Sequence, residues 1–275
     1  MTETPDPRRA AELVVAAWQP DGPLLDVPAA LAALDAAARD AAARGARLLV
    51  CPELTLTGYD IAPAAAELAE PAGGPMAEAV AAIARRHRLA VAWSWPERDG
   101  AAVHISAELV DRDGAVLARH RKAHLYGPDE AGAYVPGDGT PAVGEVDGYK
   151  VGLLVCYDIE FPEQVRMVAL AGADLLACPT ALMAPYDAVS TLLVPARAFE
   201  NQMAVAYANR AGTEHELTYT GLSCVVGPDG ADLARAGEHA GLVVGTLTAA
   251  ALDAARRANT HLADRRPEVY GGLTR

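Results

Sequence analysis

VPAALAALDAAARDAAARGARLLVCPE, residues 27–53, holds a change of period that decides the architecture. Pro28 suits the first turn of a helix, where its missing N–H is not needed. Leu31, Leu34, Ala38 and Ala41 then recur at helical spacing, and Gly45 is placed to end the run. From Arg47 to Cys51 the chain turns continuously apolar, as a strand buried on both faces does. An apolar stretch at 13–18 precedes the helix, so the three segments form a β-α-β unit. A helical pattern at 75–88 followed by a strand at 89–95 repeats it.

Antiparallel pairing enters further along. Residues 103–110 and 115–124 flank Asp113-Gly114, a tight hairpin signal. The Gly- and Pro-rich stretch 127–148 reads as a long loop, of a kind that is often functional. A strand is predicted at 150–155, a helix from Pro162 to about Ala171, and a strand at 175–178. A helix at 187–202, despite Pro195, and a strand at 203–208 come next. A second hairpin runs through 221–227 and 231–234 around Pro228-Asp229-Gly230. The last strand is 243–247, and a polar tail from Asn259 is expected to pack along the surface or a partner. The mixture predicts an α/β fold of two sheets covered by helices, a four-layer α-β-β-α sandwich, with a single doubly wound sheet as the alternative. Residues 1–275 read as a single domain with its core at about 12–250 and a C-terminal tail at 259–275, without linker or internal repeat.

Composition narrows the function classes. Of 275 residues, 52% are hydrophobic and 21% charged, as in a globular chain. A formal net charge of −13 argues against nucleic acid and anionic membrane as partners, since both call for a basic patch. Four cysteines, Cys51, Cys156, Cys178 and Cys224, contain no CxxC pair, which suggests neither a disulfide framework nor a zinc site. That usage fits a reducing, cytoplasmic location. The opening MTETPDPRRA has no apolar core of signal-peptide type, and no apolar run is long enough to span a membrane.

Three segments carry candidate chemistry. In VGLLVCYDIEFPE (151–163) an apolar strand delivers Cys156 to a turn just before a helix opened by Pro162. A nucleophile on such a turn is exposed, with backbone N–H groups nearby to hold an oxyanion; a buried cysteine is equally an ordinary core residue. Glu53 follows a buried strand and a proline, at the carboxyl end where α/β sheets place their crevices. Read alone it is a loop carboxylate. Lys122 stands at the end of a strand, where a lysine near a cysteine stabilises a thiolate or an oxyanion. Read alone it is a surface lysine. His120 and His124 are four apart on a strand rather than a helix, so they do not suggest a metal site.

Together, PELTLTGY (52–59), RKAHLYG (121–127) and CYDIEFPE (156–163) resemble the carbon–nitrogen hydrolases of the nitrilase superfamily. YVPGD at 134–138, ARAFENQ at 196–202, and ANRAG at 208–212 with SCVVGPDG at 223–230 support the likeness, which runs from about Leu13 to about Leu247. The resemblance implies a Glu53–Lys122–Cys156 triad, with Glu130, eight residues after Lys122, as the supporting second glutamate. Asp129 leaves a one-residue ambiguity there. It also implies acyl transfer without metal or organic cofactor, and a homodimer or larger homo-oligomer; Tyr59, Tyr157, Thr180 and Glu214 are candidate substrate contacts.

The flanks of the motifs, with PTALMAPYD at 179–187, are similar to aliphatic amidases, among them 5-aminopentanamidases and R-stereoselective amidases. That implies a small-molecule amide as substrate. The EHE turn at 214–216 is a candidate to meet a substrate amine, or is simply solvated. Trp93, Trp95, Tyr126, Tyr134 and Tyr186 are available to line a pocket otherwise poor in aromatics, with only two phenylalanines in the chain. A nitrilase or an N-carbamoyl amine or amino-acid hydrolase shares the triad, an acyltransferase shares its first half-reaction, and a non-catalytic homologue is disfavoured because all three positions are filled.

Overall fold

The computed structural model describes residues 9–274, so the opening polar stretch, apart from Arg9 and Ala10, lies outside the described residues. β1 (Glu12–Gln19), α1 (Val27–Ala43), β2 (Leu48–Val50), a short α2 (Ala65–Leu68), α3 (Pro75–His87) and β3 (Ala90–Asp99) make the repeated β-α-β unit. α1 starts where Asp26 caps it, its carboxylate accepting from Ala29 N at 3.0 Å. Its buried face is Ala30, Leu34, Ala37, Ala38 and Ala41, the stripe visible in the sequence. β4 (Ala102–Val110) and β5 (Val116–Arg121) follow as a hairpin.

The second half opens with α4 (Gly127–Ala133), β6 (Ala142–Val146) and β7 (Tyr149–Leu153). A 3-10 turn (Cys156–Glu160) leads to α5 (Pro162–Leu170) and β8 (Leu175–Pro179). A π-helical turn (Val189–Leu193) runs into α6 (Val194–Asn201), and β9 (Ala204–Ala208) closes the parallel run. The small pair β10 (Thr213–Glu214) and β11 (Leu217–Thr218) precedes β12 (Cys224–Val226), β13 (Asp232–Arg235), β14 (Gly241–Thr248) and α7 (Ala249–Ala258).

Two six-stranded sheets result, ordered β14-β1-β2-β3-β4-β5 and β13-β12-β9-β8-β7-β6. This excludes the single doubly wound sheet. In each, three parallel strands sit beside antiparallel ones: β1, β2 and β3 in the first, β7, β8 and β9 in the second. Alternation along the strands shows the layers directly. Leu48 and Val50 join Val151, Leu153, Leu175 and Ala177 in the core between the sheets. Leu49, between them in the chain, packs outward with Leu34, Val80 and Ile83 of α1 and α3. Leu176 and Val205 likewise face Val165, Val168 and Ala198 of α5 and α6. The order is therefore α-β-β-α.

The stretch predicted as a loop at 127–148 instead contains α4 and β6. Its Gly and Pro content argued against regular structure, yet tertiary contact overrides weak propensity: β6 pairs along all of β7, and Glu130 on α4 is buried. α7 was not expected either. Leu252 is its one buried residue, so its apolar stripe is too thin to read. The tail past it lies on the α5/α6 side, where Asn259 Nδ2 donates to Phe199 O at 2.9 Å and Leu262 packs on the core. Among the described residues no helix is long and apolar enough to cross a membrane.

Candidate active site

Strand ends of the two sheets converge on one buried point. Glu53 follows β2 by three residues and is held from the second sheet. Its N–H donates to Thr180 O at 3.1 Å, while Arg210 donates to the carbonyls of Glu53 at 3.0 Å and Leu54 at 2.7 Å. Lys122 directly follows β5, and its main chain is tied on both sides, N–H to Ile105 O and carbonyl from Gly137 N, each 2.8 Å. Cys156 follows β7 at the start of the 3-10 turn with φ of 47°, the left-handed region that costs a non-glycine residue about 1–3 kcal/mol. The turn also leaves Tyr157 N–H at a helix start, where no intrahelical acceptor exists.

The side chains meet directly. Lys122 Nζ donates to Glu53 Oε1 at 2.8 Å and to Glu130 Oε1 at 2.7 Å, all three groups being buried. Glu130 Oε1 also accepts the Tyr59 hydroxyl at 2.7 Å, and its Oε2 accepts Tyr126 N at 2.8 Å. Glu53 Oε2 is buried with no conventional hydrogen bond, and the Cys156 thiol is among the neighbours that interact with this carboxyl. Burial pushes Glu53 up to about 7, against the pull of Lys122 and with the push of Glu130. Burial and the Glu53 charge raise the Cys156 thiol, with Lys122 opposing. Burial works against the Lys122 ammonium, but Glu53, Cys156 and Glu130 outweigh it and hold the lysine charged. Such a site has a base tuned near neutrality beside a nucleophile and a fixed cation, the requirements of acyl transfer.

Asp158 is the functional residue that sequence reading missed. His120 Nε2 and His124 Nδ1 each lie 2.9 Å from its carboxylate, and the N–H groups of Ala123, His124 and Val155 donate to it at 3.1, 2.9 and 3.3 Å. An ionised carboxylate only accepts, so both ring nitrogens carry hydrogen. Burial opposes its ionisation, but the hydrogen bonds of both histidines hold it well below the usual carboxylate range. Asp158 thus ties the Lys122 segment to the Cys156 turn. The signal was present: His120, Lys122 and His124 alternate with period two, and Asp158 stands two residues past the cysteine.

A cavity of about 210 Å³ opens onto Cys156 between Tyr59, Tyr126, Tyr157 and Tyr186; Glu160, Ala181, Leu182 and Met183 complete its wall. Tyr59 and Tyr157 therefore line this cavity. Thr180 does not: it is fully buried, its hydroxyl donates to Tyr207 at 3.0 Å, and it anchors Glu53 only through its carbonyl. Glu214 is engaged elsewhere. Its Oε2 accepts Tyr59 N, Asp60 N and the Tyr219 hydroxyl at 2.8, 2.9 and 2.8 Å, and Arg210 pairs with its Oε1 at 3.2 Å. The carboxylate is spent on fixing the Tyr59 loop and is not on the cavity wall. Trp93 and Trp95 stack on each other in the outer core, and Tyr134 is buried between the sheets. Among the described residues no group of three or more His, Cys, Asp and Glu side chains is arranged to hold a metal ion.

This geometry is accompanied by a likeness across most of the chain. The Carbon-nitrogen hydrolase family profile matches residues 14–257. The chain belongs to that family, the nitrilase superfamily, and is an amidase with an active-site cysteine, a hydrolase of carbon–nitrogen bonds. It is 43% identical to a hydrolase in the pqqF 5′ region of Pseudomonas protegens, over 91% of this chain and 88% of that one. It is 36% identical to an (R)-stereoselective amidase of a Pseudomonas species, over 82% of each. A double mutant of the amidase from Nesterenkonia sp. AN1, solved in complex with acrylamide, superposes with a TM-score of 0.88 at 38% identity, covering 96% of this chain and 98% of that one. The same enzyme has been solved with butyramide, at a TM-score of 0.86 and 39% identity over 96% and 97% of the chains.

Proposed function

We propose that the protein hydrolyses a small linear carboxamide to a carboxylate and ammonia through a thioester on Cys156. The observation that carries this is the Lys122 ammonium held at 2.8 and 2.7 Å by two buried carboxylates, one of them adjoining the Cys156 thiol. Glu53 takes the thiol proton as the sulfur attacks the amide carbon. The carbonyl electrons move to oxygen, and Lys122 with the Tyr157 N–H stabilises that oxyanion. Collapse breaks the C–N bond, and the leaving nitrogen takes the proton from Glu53 and departs as ammonia. Glu53 then removes a proton from water, which attacks the thioester. The carboxylic acid leaves, and the proton returns to the cysteine sulfur. Glu130, bonded to Lys122 and Tyr59, orients the lysine.

Acrylamide and butyramide bind the Nesterenkonia enzyme, and amides of that size suit a cavity of about 210 Å³, below the roughly 300–1,000 Å³ of larger ligand pockets. The test is ammonia release from short aliphatic amides, amino-acid amides, nitriles and N-carbamoyl amines, wild type beside Cys156→Ala. Turnover of an amide by wild type alone is expected. Activity on nitriles or carbamoyl compounds with none on amides would move the protein to another branch, and activity retained by the variant would remove Cys156 from the reaction.

A further inference from the structure

Apart from the thiol and the tyrosine hydroxyls, the cavity wall carries a single ionisable group, Glu160. It ends the 3-10 turn that Cys156 begins, so the nucleophile and this carboxylate belong to one rigid piece of backbone. Arg197 fixes that piece, donating from Nε to Ile159 O at 3.0 Å and from Nη2 to Glu160 O at 2.8 Å, and its Nη1 goes to Glu200 at 3.1 Å. Its donors are directed at carbonyls and another acid. Lys122 is likewise shared between Glu53 and Glu130. Among the described residues the Glu160 carboxylate has no hydrogen bond or ion pair, and no lysine or arginine lines the cavity. Burial holds its carboxyl above the ordinary value, with Arg197 and Lys122 pulling the other way.

A part-buried carboxylate without a partner, facing a cavity without cations, is a receptor for positive charge. A cation placed against it restores the stabilisation that burial removes, whereas a second anion there meets like charge without a counter-ion. We infer that Glu160 determines specificity at the far end of the substrate, favouring amides that carry an ammonium group and disfavouring amides that carry a carboxylate. This rests on the amidase reading above.

The test compares kcat/KM for ammonia release from three amides of matched length: pentanamide, 5-aminopentanamide and glutaramate, with wild type and Glu160→Gln. Wild type is expected to favour 5-aminopentanamide over glutaramate by at least about tenfold, and Glu160→Gln to lower the 5-aminopentanamide/pentanamide ratio by about tenfold or more, the size of a lost hydrogen bond to a charged group. A wild-type preference for glutaramate, or an unchanged ratio in the variant, would overturn the assignment. Should Glu160→Gln not fold, raising salt with wild type decides: the preference for 5-aminopentanamide over pentanamide must weaken, and a salt-independent preference counts against Glu160. Pentanamide turnover without charge discrimination sinks this inference alone, whereas silence on all three amides takes the amidase reading with it.

Discussion

Two buried carboxylates flank the lysine segment, and they have opposite characters. Asp158 receives two histidine ring nitrogens and three backbone N–H groups, and its carboxyl lies well below the usual range. Glu53 is equally buried, yet Lys122 is its one conventional donor, one of its oxygens is left without such a bond, and its carboxyl rises to about 7. At like depth, the number of donors separates them, with the Glu130 charge adding to the push on Glu53. A carboxylate that is fully solvated by the protein cannot take a proton near neutrality and serves as an anchor. One left short of donors can take a proton, and serves as a base.

The largest way to break this contrast is Glu53→Gln. The amide keeps an oxygen for Lys122 but cannot accept the thiol proton, so kcat/KM is expected to fall by roughly 10²–10⁴, the usual worth of a general base. Circular dichroism should show a retained fold. A folded variant within about threefold of wild type, well under that range, would show that the thiol loses its proton elsewhere.

Asp158→Asn attacks the anchor. One side-chain oxygen must then serve five donors, and the new NH₂ group is set against N–H groups. A buried donor left unsatisfied costs about 1–3 kcal/mol, and several are left here, so a clear drop in urea-unfolding stability at neutral pH is expected. A loss below about 1 kcal/mol would put the interaction in the range of a single neutral hydrogen bond and remove Asp158 as the tie between the Lys122 segment and the Cys156 turn.

The same contrast explains what the sequence could convey. RLLVC was legible as a buried strand because both faces are covered and every residue had to be apolar. Glu53, Lys122 and Cys156 each read alone as ordinary residues near a strand end, and it was the likeness of their three motifs to the carbon–nitrogen hydrolases that singled them out. α4 was hidden because Gly127, Pro128 and Gly132 carry no helical propensity, and what holds it is Glu130 reaching back to Lys122, Tyr59 and Tyr126. The side chains of Thr180 and Glu214 make their hydrogen bonds away from the cavity wall. Side-chain direction depends on partners far off in sequence, such as Tyr207 for Thr180 and the Tyr59 loop for Glu214. Glu160 is the converse, a residue whose importance lies in partners it lacks.

The smallest effect on the protein gives the sharpest separation of the two acids, and it is read from pH. Glu53 is raised from 4.5 to about 7, so the folded state prefers its protonated form. Its contribution to stability is fully present below 4.5 and lost as pH rises through 7. Asp158 is depressed from 3.8, so its contribution is present above 3.8 and lost only as pH falls below that toward the folded value. Between about 7 and 4.5, acid therefore removes the base without loosening the anchor, and protonating Glu53 stabilises the fold. The acid limb of kcat/KM should fall about tenfold per pH unit below roughly 7. Protein held at pH 5.5 and returned to pH 8 should recover fully, with unchanged circular dichroism throughout. If activity and ellipticity were instead lost together over that interval, acid would be acting on the anchor as well as the base, and donor number would not be what distinguishes the two carboxylates.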